Sequence, residues 1–281
     1  MLTSEATECA QVRRPTAVSR MLRALSDAVE LGETWRDRTF AAGKYRIRVA
    51  SERMLRRRAY ALAHRVYSGR GYVCDENGLV VSPFDAHAET LTLLVQDEKG
   101  CDAATISLVF DSPAGLPCDA IYGQELQSLR AQGRRLVEVT RLAIDPVHQH
   151  SKALLVCLFN FIYIHARRVK GCDDFVIEVN PRHECYYRRL LNFELAGSER
   201  ACPRVQGAPA VLLRQDLWAG EREIQRVGGL GDTAGERTLY PHFYAPAEEG
   251  VVAKFLARGH KTMTPEDARY FGLETRLGSV S

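Results

Sequence analysis

The feature that most constrains the fold is a succession of strand-like and helix-like segments between residues 45 and 217. Residues 45–49 alternate apolar and polar side chains with the period of two that a half-buried strand requires. A helix is predicted over residues 52–67, with Ser51 as its N-cap. Two strands joined by a hairpin turn at residues 97–100 follow, and a short helix is predicted at residues 122–131.

The second half of this region continues the alternation. Residues 136–144 form a strand that Asp145-Pro146 ends, and an apolar helix at residues 152–169 follows it. A strand at residues 174–179, a helix at residues 182–191 and two short strands near Glu194 and residues 211–213 complete the pattern. The order β-α-β-β-(α)-β-α-β-α-β-β predicts an α+β fold whose mixed, largely antiparallel sheet has helices on both faces.

The segments outside this pattern predict three parts of the chain. Residues 1–43 form an N-terminal extension with a helix at residues 17–31, residues 44–218 form the main domain, and residues 219–281 form a C-terminal extension.

Composition narrows the function classes. A hydrophobic fraction of 46% is typical of a globular protein, and a net charge of +3 gives no reason to expect a nucleic-acid partner. The most apolar run, residues 153–164, is too short to cross a bilayer, and Glu5 and Glu8 argue against a signal peptide. None of the 8 cysteines lies in a Cys-x-x-Cys pair, so we expect reduced thiols in a cytoplasmic protein and no metal site.

Four short motifs resemble those of a known enzyme group. Glu138-Val-Thr-Arg141 lies on the predicted central strand, and Pro83-Phe84-Asp85 precedes the strand near residue 91. The other two are the stretch at residues 180–193, with its Asn-Pro-x-His start, and the hairpin at residues 205–213. In this order, the motifs resemble FeeM-type N-acyl amino acid synthases of the Gcn5-related N-acetyltransferase (GNAT) superfamily, which are related to acyl-homoserine-lactone autoinducer synthases.

The resemblance implies a GNAT acyl-CoA N-acyltransferase-like fold over about residues 45–217 and a transferase activity. Such an enzyme moves a long fatty acyl group from a thioester to the α-amine of an amino acid. The partners implied are an acyl carrier protein and the amino acid acceptor. The donor is then an acyl-phosphopantetheine, either on the carrier protein or on CoA, and no cofactor stays bound permanently.

One departure from the superfamily bears on the donor. Typical acetyl-CoA-using members have a glycine-containing loop after the fourth strand, whose backbone amides hold the CoA pyrophosphate. Here the loop is His148-Gln-His150-Ser151, without glycine, and its side chains would hinder a close approach of pyrophosphate to the backbone. This favours an acyl carrier protein, whose phosphopantetheine lacks the adenosine diphosphate, as the donor.

The chemistry requires a base, because a free α-amine is mostly protonated at neutral pH. Glu138 is the candidate base, and Arg141 is suited to bind a carboxylate of the acceptor, of Glu138 or of Asp85. Arg141 reaches the cleft only if a bulge interrupts the strand. The alternative for these residues is an internal ion network that locks the sheet.

The remaining candidates follow from the matched motifs. Tyr186 or Tyr187 could protonate the leaving sulfur, with Tyr186 as the chosen candidate, or the rings could simply pack against the sheet. Two adjacent tyrosines on a helix point about 100° apart, so at most one should face the cleft. Asp85 either contacts substrate or caps its turn, His183 either acts in the site or caps its helix, and His165 is expected in the core. The candidate substrate-binding residues are Phe84, Asp85, Thr140, Leu142, Asn180, His183 and Tyr187.

Basic residues occur in clusters on three predicted helices. A solvated surface, a docking patch for an acidic carrier protein and a peripheral contact with anionic lipid are the three interpretations. The clusters comprise Arg53, Arg56, Arg57, Arg58 and Arg65, then Arg167, Arg168 and Lys170, and finally Arg188 and Arg189.

Three alternatives to the N-acyl amino acid synthase remain open at this point. An autoinducer synthase would require S-adenosylmethionine, and an acyl-CoA-dependent N-acyltransferase would bind CoA tightly. A non-catalytic GNAT-like protein would bind acyl carriers or lipids without turnover.

Overall fold

A single eight-stranded sheet organises the protein. The computed structural model describes residues 39–72 and 78–273. The strands lie in the order β1-β2-β3-β4-β5-β6-β8-β7, and every neighbouring pair is antiparallel except β5 and β6. They are Thr39–Ala42 (β1), Tyr45–Val49 (β2), Leu91–Gln96 (β3), Asp102–Phe110 (β4), Leu136–Ile144 (β5), Asp174–Val179 (β6), Glu194–Cys202 (β7) and Ala208–Asp216 (β8).

Seven α-helices in the described residues cover both faces of this sheet. The helices α1 and α2 pack on one face, and α3, α5 and α6 pack on the other. None of the helices described is both long and apolar enough to cross a membrane. The helices are Arg53–Ser68 (α1), Asp119–Ala131 (α2), Lys152–Tyr163 (α3), Glu184–Leu191 (α4), Leu217–Val227 (α5), Glu249–Gly259 (α6) and Pro265–Tyr270 (α7).

The element order predicted for residues 45–217 is confirmed, and so is the largely antiparallel sheet between helices. Alternation along the strands explains the two faces, since Leu136 packs with α2 while its neighbour Val137 packs with α3. The apolar helix predicted to reach residue 169 changes to a π-helical turn at Ile164–Val169. His165 in this turn is fully buried, as expected, and burial lowers its pKa to about 3.

The start of α1 differs from the prediction. The N-cap residue is Glu52, which makes no side-chain capping bond. The hydroxyl of Ser51 donates instead to the carbonyl oxygen of Gly259, at the end of α6. Ser51 therefore serves a tertiary contact with the C-terminal part of the chain and does not cap its own helix.

The C-terminal part, expected as an extension, packs on the sheet as part of the core. Phe255 of α6 contacts Phe40 of β1, with ring centroids 5.3 Å apart. The chain then passes the sheet edge, and Phe271 packs on Tyr60 of α1 at 5.2 Å. Residues 217–273 thus reach both faces of the sheet, and residues 39–42, assigned to the N-terminal extension, are its edge strand. The helix predicted at residues 17–31 lies outside the described residues.

The contact between α6 and β2 allows a matched test of this packing. A Cβ at Gly259 would lie 2.8 Å from Cγ2 of Val49, whereas a Cβ at Gly250, in the same helix, would meet nothing within 4 Å. We expect Gly259→Ala to lower the free energy of unfolding by about 1–3 kcal/mol through overpacking. Gly250→Ala should leave it unchanged or raise it by up to about 1 kcal/mol through helix propensity.

Chemical denaturation of both variants measures the two effects. An unfolding free energy of Gly259→Ala equal to that of Gly250→Ala would mean that α6 does not pack closely against β2.

Candidate active site

A β-bulge in the central strand places the candidate residues. Ser107 of β4 pairs with Thr140, but Thr105 pairs with Ala143, so Arg141 and Leu142 together oppose one residue of β4. Arg141 adopts a left-handed backbone with φ of 54°, which is uncommon for a residue other than glycine. As expected, the bulge brings the side chain of Arg141 to the sheet face on which Glu138 lies.

A divergence of two strands opens a cavity beside this bulge. The parallel strands β5 and β6 pair only from Leu136–Asp174 to Glu138–Val176, and beyond Glu138 they separate. The cavity between them has a volume of about 680 Å³, within the range of small-molecule sites. Its walls come from β5, β6, the end of α1, residues 79–83, the start of α4 and the turn between β7 and β8.

Glu138 lies at the closed end of the cavity, at the last paired position of β5 and β6. Its side chain is 2% exposed, and Oε2 accepts a hydrogen bond from the backbone N–H of Cys118 at 2.7 Å. Burial raises the pKa of this carboxyl to about 7, and the Arg204 guanidinium and the Cys118 bond offset only part of the rise. The carboxyl can therefore exchange a proton at neutral pH.

Arg141 is committed to Asp85. Its Nη2 donates to both carboxylate oxygens of Asp85 at 2.7 and 2.8 Å, and its guanidinium lies 4.6 Å from the ring centroid of Tyr60. The side chains of Arg141 and Asp85 are 3% and 0% exposed. Of the partners considered from the sequence, the carboxylate that Arg141 binds is thus that of Asp85, and Glu138 bonds elsewhere.

Asp85 and Phe84 are not part of the cavity wall, and their role in substrate binding stays a prediction. Asp85 caps its own turn, since Oδ2 accepts from the backbone N–H of Ser82 at 2.7 Å while the same carboxylate holds Arg141. Phe84 packs against the cluster under α2 and against His87. Both residues support the site from outside the cavity.

The two tyrosines of α4 both line the cavity, although at most one was expected to face it. Tyr186 is 39% exposed, while Tyr187 is 8% exposed and packs against Phe159 and Phe193. Burial raises the pKa of both phenols, so both remain protonated at neutral pH. Tyr186 is the more accessible donor.

The other candidates also border the cavity. Thr140 and Leu142 lie on its β5 wall, and Asn180 and His183 lie at its α4 end. The side chain of Asn180 accepts from the backbone N–H of Arg182, so it caps the turn before α4. His183 occupies the N-cap position of α4 but makes no side-chain capping bond, contrary to the interpretation as a cap. Burial lowers its pKa, which favours a neutral imidazole.

Sequence reasoning missed three residues around Glu138. Cys118 supplies the backbone N–H described above, and Arg204 places Nη1 4.0 Å from Oε1 of Glu138. Arg204 also donates through Nη2 to Glu178 of β6. The hairpin motif at residues 205–213 marked this region, but an arginine on an irregular turn carries no periodic signal that would point to a cavity.

The N-terminus of α3 is capped by the protein itself. The hydroxyl of Ser151 accepts from the backbone N–H of Leu154 at 3.2 Å and from the phenol of Tyr45 at 2.8 Å. Lys152 contacts the imidazole of His242, which belongs to the C-terminal part, at 2.6 Å between nitrogens. The glycine-free loop at residues 148–151 is therefore surrounded by side chains of the protein, including Tyr45 and His242.

Most of the basic clusters are neutralised by acidic side chains. Arg53 and Arg56 bind Asp267, and Arg167 and Arg168 bind Glu221. Arg58, Arg65, Lys170 and Arg188 likewise pair with Asp102, Asp145, Glu89 and Glu184. Within the described residues these pairs leave few of the clustered charges for a docking patch or a lipid surface.

Comparison with known proteins shows the relationship of this chain. A solved structure of FeeM, an N-acyl amino acid synthase from uncultured soil microbes, is similar with 25% identity and a TM-score of 0.54, over 62% of this chain and 90% of that one. The acyl-homoserine lactone (AHL) synthase LasI aligns with 16% identity and a TM-score of 0.49, over 62% of this chain and 90% of that one. The CoA-dependent acyl-homoserine lactone synthase BjaI, solved with SAM and isopentyl-CoA, aligns with 14% identity and a TM-score of 0.48, over 74% and 96%. Among curated proteins, no sequence matches.

The GNAT-like fold expected from the sequence is confirmed by the likeness to the FeeM structure. The model of the family described as "N-acyl amino acid synthase FeeM" matches residues 58–216, which is more than half of the chain. The protein is an acyltransferase, and it belongs to the FeeM family of N-acyl amino acid synthases.

Proposed function

We propose that this protein transfers a fatty acyl group from the thioester of an acyl carrier protein to the α-amine of an amino acid. The observation that supports the proposal is the buried carboxyl of Glu138 at the closed end of a cavity between diverging strands, where burial raises its pKa to about 7. Family membership supplies the reaction class.

Glu138 is the proton acceptor. The amine of an amino acid is mostly protonated at neutral pH and becomes a nucleophile only when a base removes a proton. In the transfer, the amine nitrogen forms a bond to the acyl carbon, the carbon–sulfur bond breaks, and the thiolate leaves. The nitrogen loses two protons on the way from ammonium to amide. Glu138 takes the first, and the second replaces the proton that the acid gives to the sulfur.

The cavity suits the acyl donor. Apolar side chains on its walls, including Val139, Leu142, Leu155 and Ile177, provide a surface for a hydrocarbon chain. Beyond Glu138, the backbone of β5 has no strand partner on the β6 side. Its polar groups can bind the amides of the pantetheine arm and the negative charge that develops on the thioester oxygen.

The surroundings of α3 support a carrier protein as the donor. A CoA pyrophosphate would need free backbone amides at this helix start. Here Ser151 caps the amide of Leu154, and Tyr45 binds Ser151. A phosphopantetheine arm on a carrier protein has no pyrophosphate to place there.

Tyr186 is proposed as the acid that protonates the departing sulfur. We expect Tyr186→Phe to lower kcat by up to about a hundredfold with a carrier-protein thioester. The loss should shrink with an aryl thioester, whose more acidic thiol leaves without help. Tyr187→Phe is the matched control and should keep kcat, because the ring of Tyr187 packs against Phe159 and Phe193. A loss confined to Tyr187→Phe would transfer the role to that residue.

A direct assay tests the function and the base together. Purified protein, an acylated carrier protein and a pool of amino acids should release the carrier thiol and yield N-acyl amino acids, detected by mass spectrometry. The kcat/KM of the wild type should rise tenfold per pH unit below pH 7 and level off above it, since only the ionised carboxyl accepts a proton. Glu138→Gln should lose activity by about 10²–10⁴-fold and lose this pH dependence.

Acyl-CoA with an acyl chain of the same length serves as the control donor. It should give a lower kcat/KM than the carrier-protein thioester. If neither the carrier thioester nor acyl-CoA releases its thiol, or if Glu138→Gln keeps the full rate, the proposal is contradicted.

The same carboxyl should make stability depend on pH. Its pKa is raised from 4.5 to about 7 on folding, so the folded state favours the protonated form. This stabilisation is complete below pH 4.5 and disappears as the pH rises through 7, a change of up to about 3 kcal/mol. Relative to the wild type, Glu138→Gln should therefore become more stable by up to about this amount between pH 4.5 and pH 8.

Urea unfolding at several pH values measures the difference between the two proteins. Glu98→Gln, on the exposed turn between β3 and β4, controls for the loss of one carboxyl. A difference between Glu138→Gln and wild type that stays constant from pH 4.5 to 8 would show that Glu138 is not desolvated.

A further inference from the structure

We propose that Arg204 binds the carboxylate of the acceptor, so that Arg204 and Glu138 together recognise the two charged groups of an α-amino acid. The inference rests on the function proposed above and assigns a subsite within the same cavity. It concerns the class of acceptor, an amine that carries a carboxylate on the neighbouring carbon.

The first support is the spacing of opposite charges. Nη1 of Arg204 lies 4.0 Å from Oε1 of Glu138, and both residues line the cavity. The amine and the carboxylate of an α-amino acid are attached to the same carbon, so a site for both needs a carboxylate and a cation a few ångströms apart. Glu138 provides the negative group for the amine, and Arg204 provides the positive group for the carboxylate.

The second support is accessibility. Arg204 lies on the turn Pro203–Val205 between β7 and β8, and its side chain is 40% exposed. Arg141, the arginine that the sequence suggested for this role, is 3% exposed and holds both oxygens of Asp85. Because an incoming carboxylate can reach Arg204 without breaking a buried ion pair, the role moves from Arg141 to Arg204.

The third support is the remaining binding capacity of the guanidinium. Arg204 uses Nη2 for Glu178, and a guanidinium has five N–H donors in all. Arg130 of this protein shows that one guanidinium can hold two carboxylates, since it binds Asp111 and Asp119 at the same time. An acceptor carboxylate could join Glu178 on Arg204 in the same way.

The charge balance agrees with this assignment. With Glu138 ionised, the closed end of the cavity holds two carboxylates, of Glu138 and Glu178, and one guanidinium, of Arg204. A zwitterionic amino acid places its ammonium beside Glu138 and its carboxylate beside Arg204, so neither charge is buried without a partner.

Binding of two product analogues tests the subsite without requiring turnover. The probes are N-dodecanoylglycine and its primary amide, which differ only in the carboxylate and have no side chain to fit. Wild-type protein should bind the acid about ten- to a hundredfold more tightly than the amide, as expected for a hydrogen-bonded charge. Arg204→Gln should bind the two probes equally.

Two further variants serve as controls, and calorimetry gives the affinities. Arg70→Gln, an exposed arginine elsewhere on the cavity wall, should keep the preference for the acid. Arg204→Lys retains a positive charge beside Glu178 and should keep part of the preference, so it reports on the subsite even if Arg204→Gln fails to fold. The proposal is overturned if Arg204→Gln keeps the full preference, if only Arg70→Gln loses it, or if the wild type binds neither probe.

Turnover with glycine and glycinamide separates this inference from the function on which it rests. If the wild type acylates both amines with equal kcat/KM, the subsite is wrong while the acyl transfer stands. If the wild type prefers the acid probe in binding but acylates no amine, the subsite stands while the proposed function fails.

Discussion

The buried ion pair between Arg141 and Asp85 fixes the middle of the sheet. A regular strand would direct Arg141 to the face where Val137 and Val139 pack in the apolar core, and a guanidinium there would be desolvated without a partner. The left-handed backbone at Arg141 avoids this by turning the side chain to the other face. Asp85, Ser107 and the ring of Tyr60 receive it there, and these contacts offset the backbone strain.

Glu138, three residues earlier on the same strand, illustrates how a site uses energy supplied by the rest of the fold. Keeping this carboxyl out of water costs stability once it ionises, and the single backbone bond from Cys118 together with a guanidinium 4.0 Å away compensates only in part. The apolar packing of the two sheet faces supplies the difference. The same desolvation that weakens the protein at high pH raises the pKa of the carboxyl to about 7, as the proposed role of a base requires.

The sequence was sufficient for the element order because alternation and helical periodicity are local signals, and strands such as Leu136–Ile144 and Asp174–Val179 have the predicted bounds. It also predicted that Glu138 faces the cleft, and Glu138 lines the cavity from a regularly paired part of β5, while its role as a base stays a prediction. It failed where long-range contacts decide. Ser51 bonds to Gly259, 208 positions away, and does not cap its own helix. Arg204 reaches the cavity from an irregular turn, which no periodic pattern can reveal.

Because residues 217–273 pack around the sheet, the domain defined by family similarity is shorter than the domain defined by the apolar core. The family match ends at residue 216, whereas the apolar core continues into Phe255 and Phe271. The helix α1, whose end forms part of the cavity wall, is held by Asp267 through Arg53 and Arg56. The family match therefore covers less of the chain than the smallest segment that can fold stably. Substitutions far from the cavity, in α6 or α7, can alter catalysis because they loosen α1.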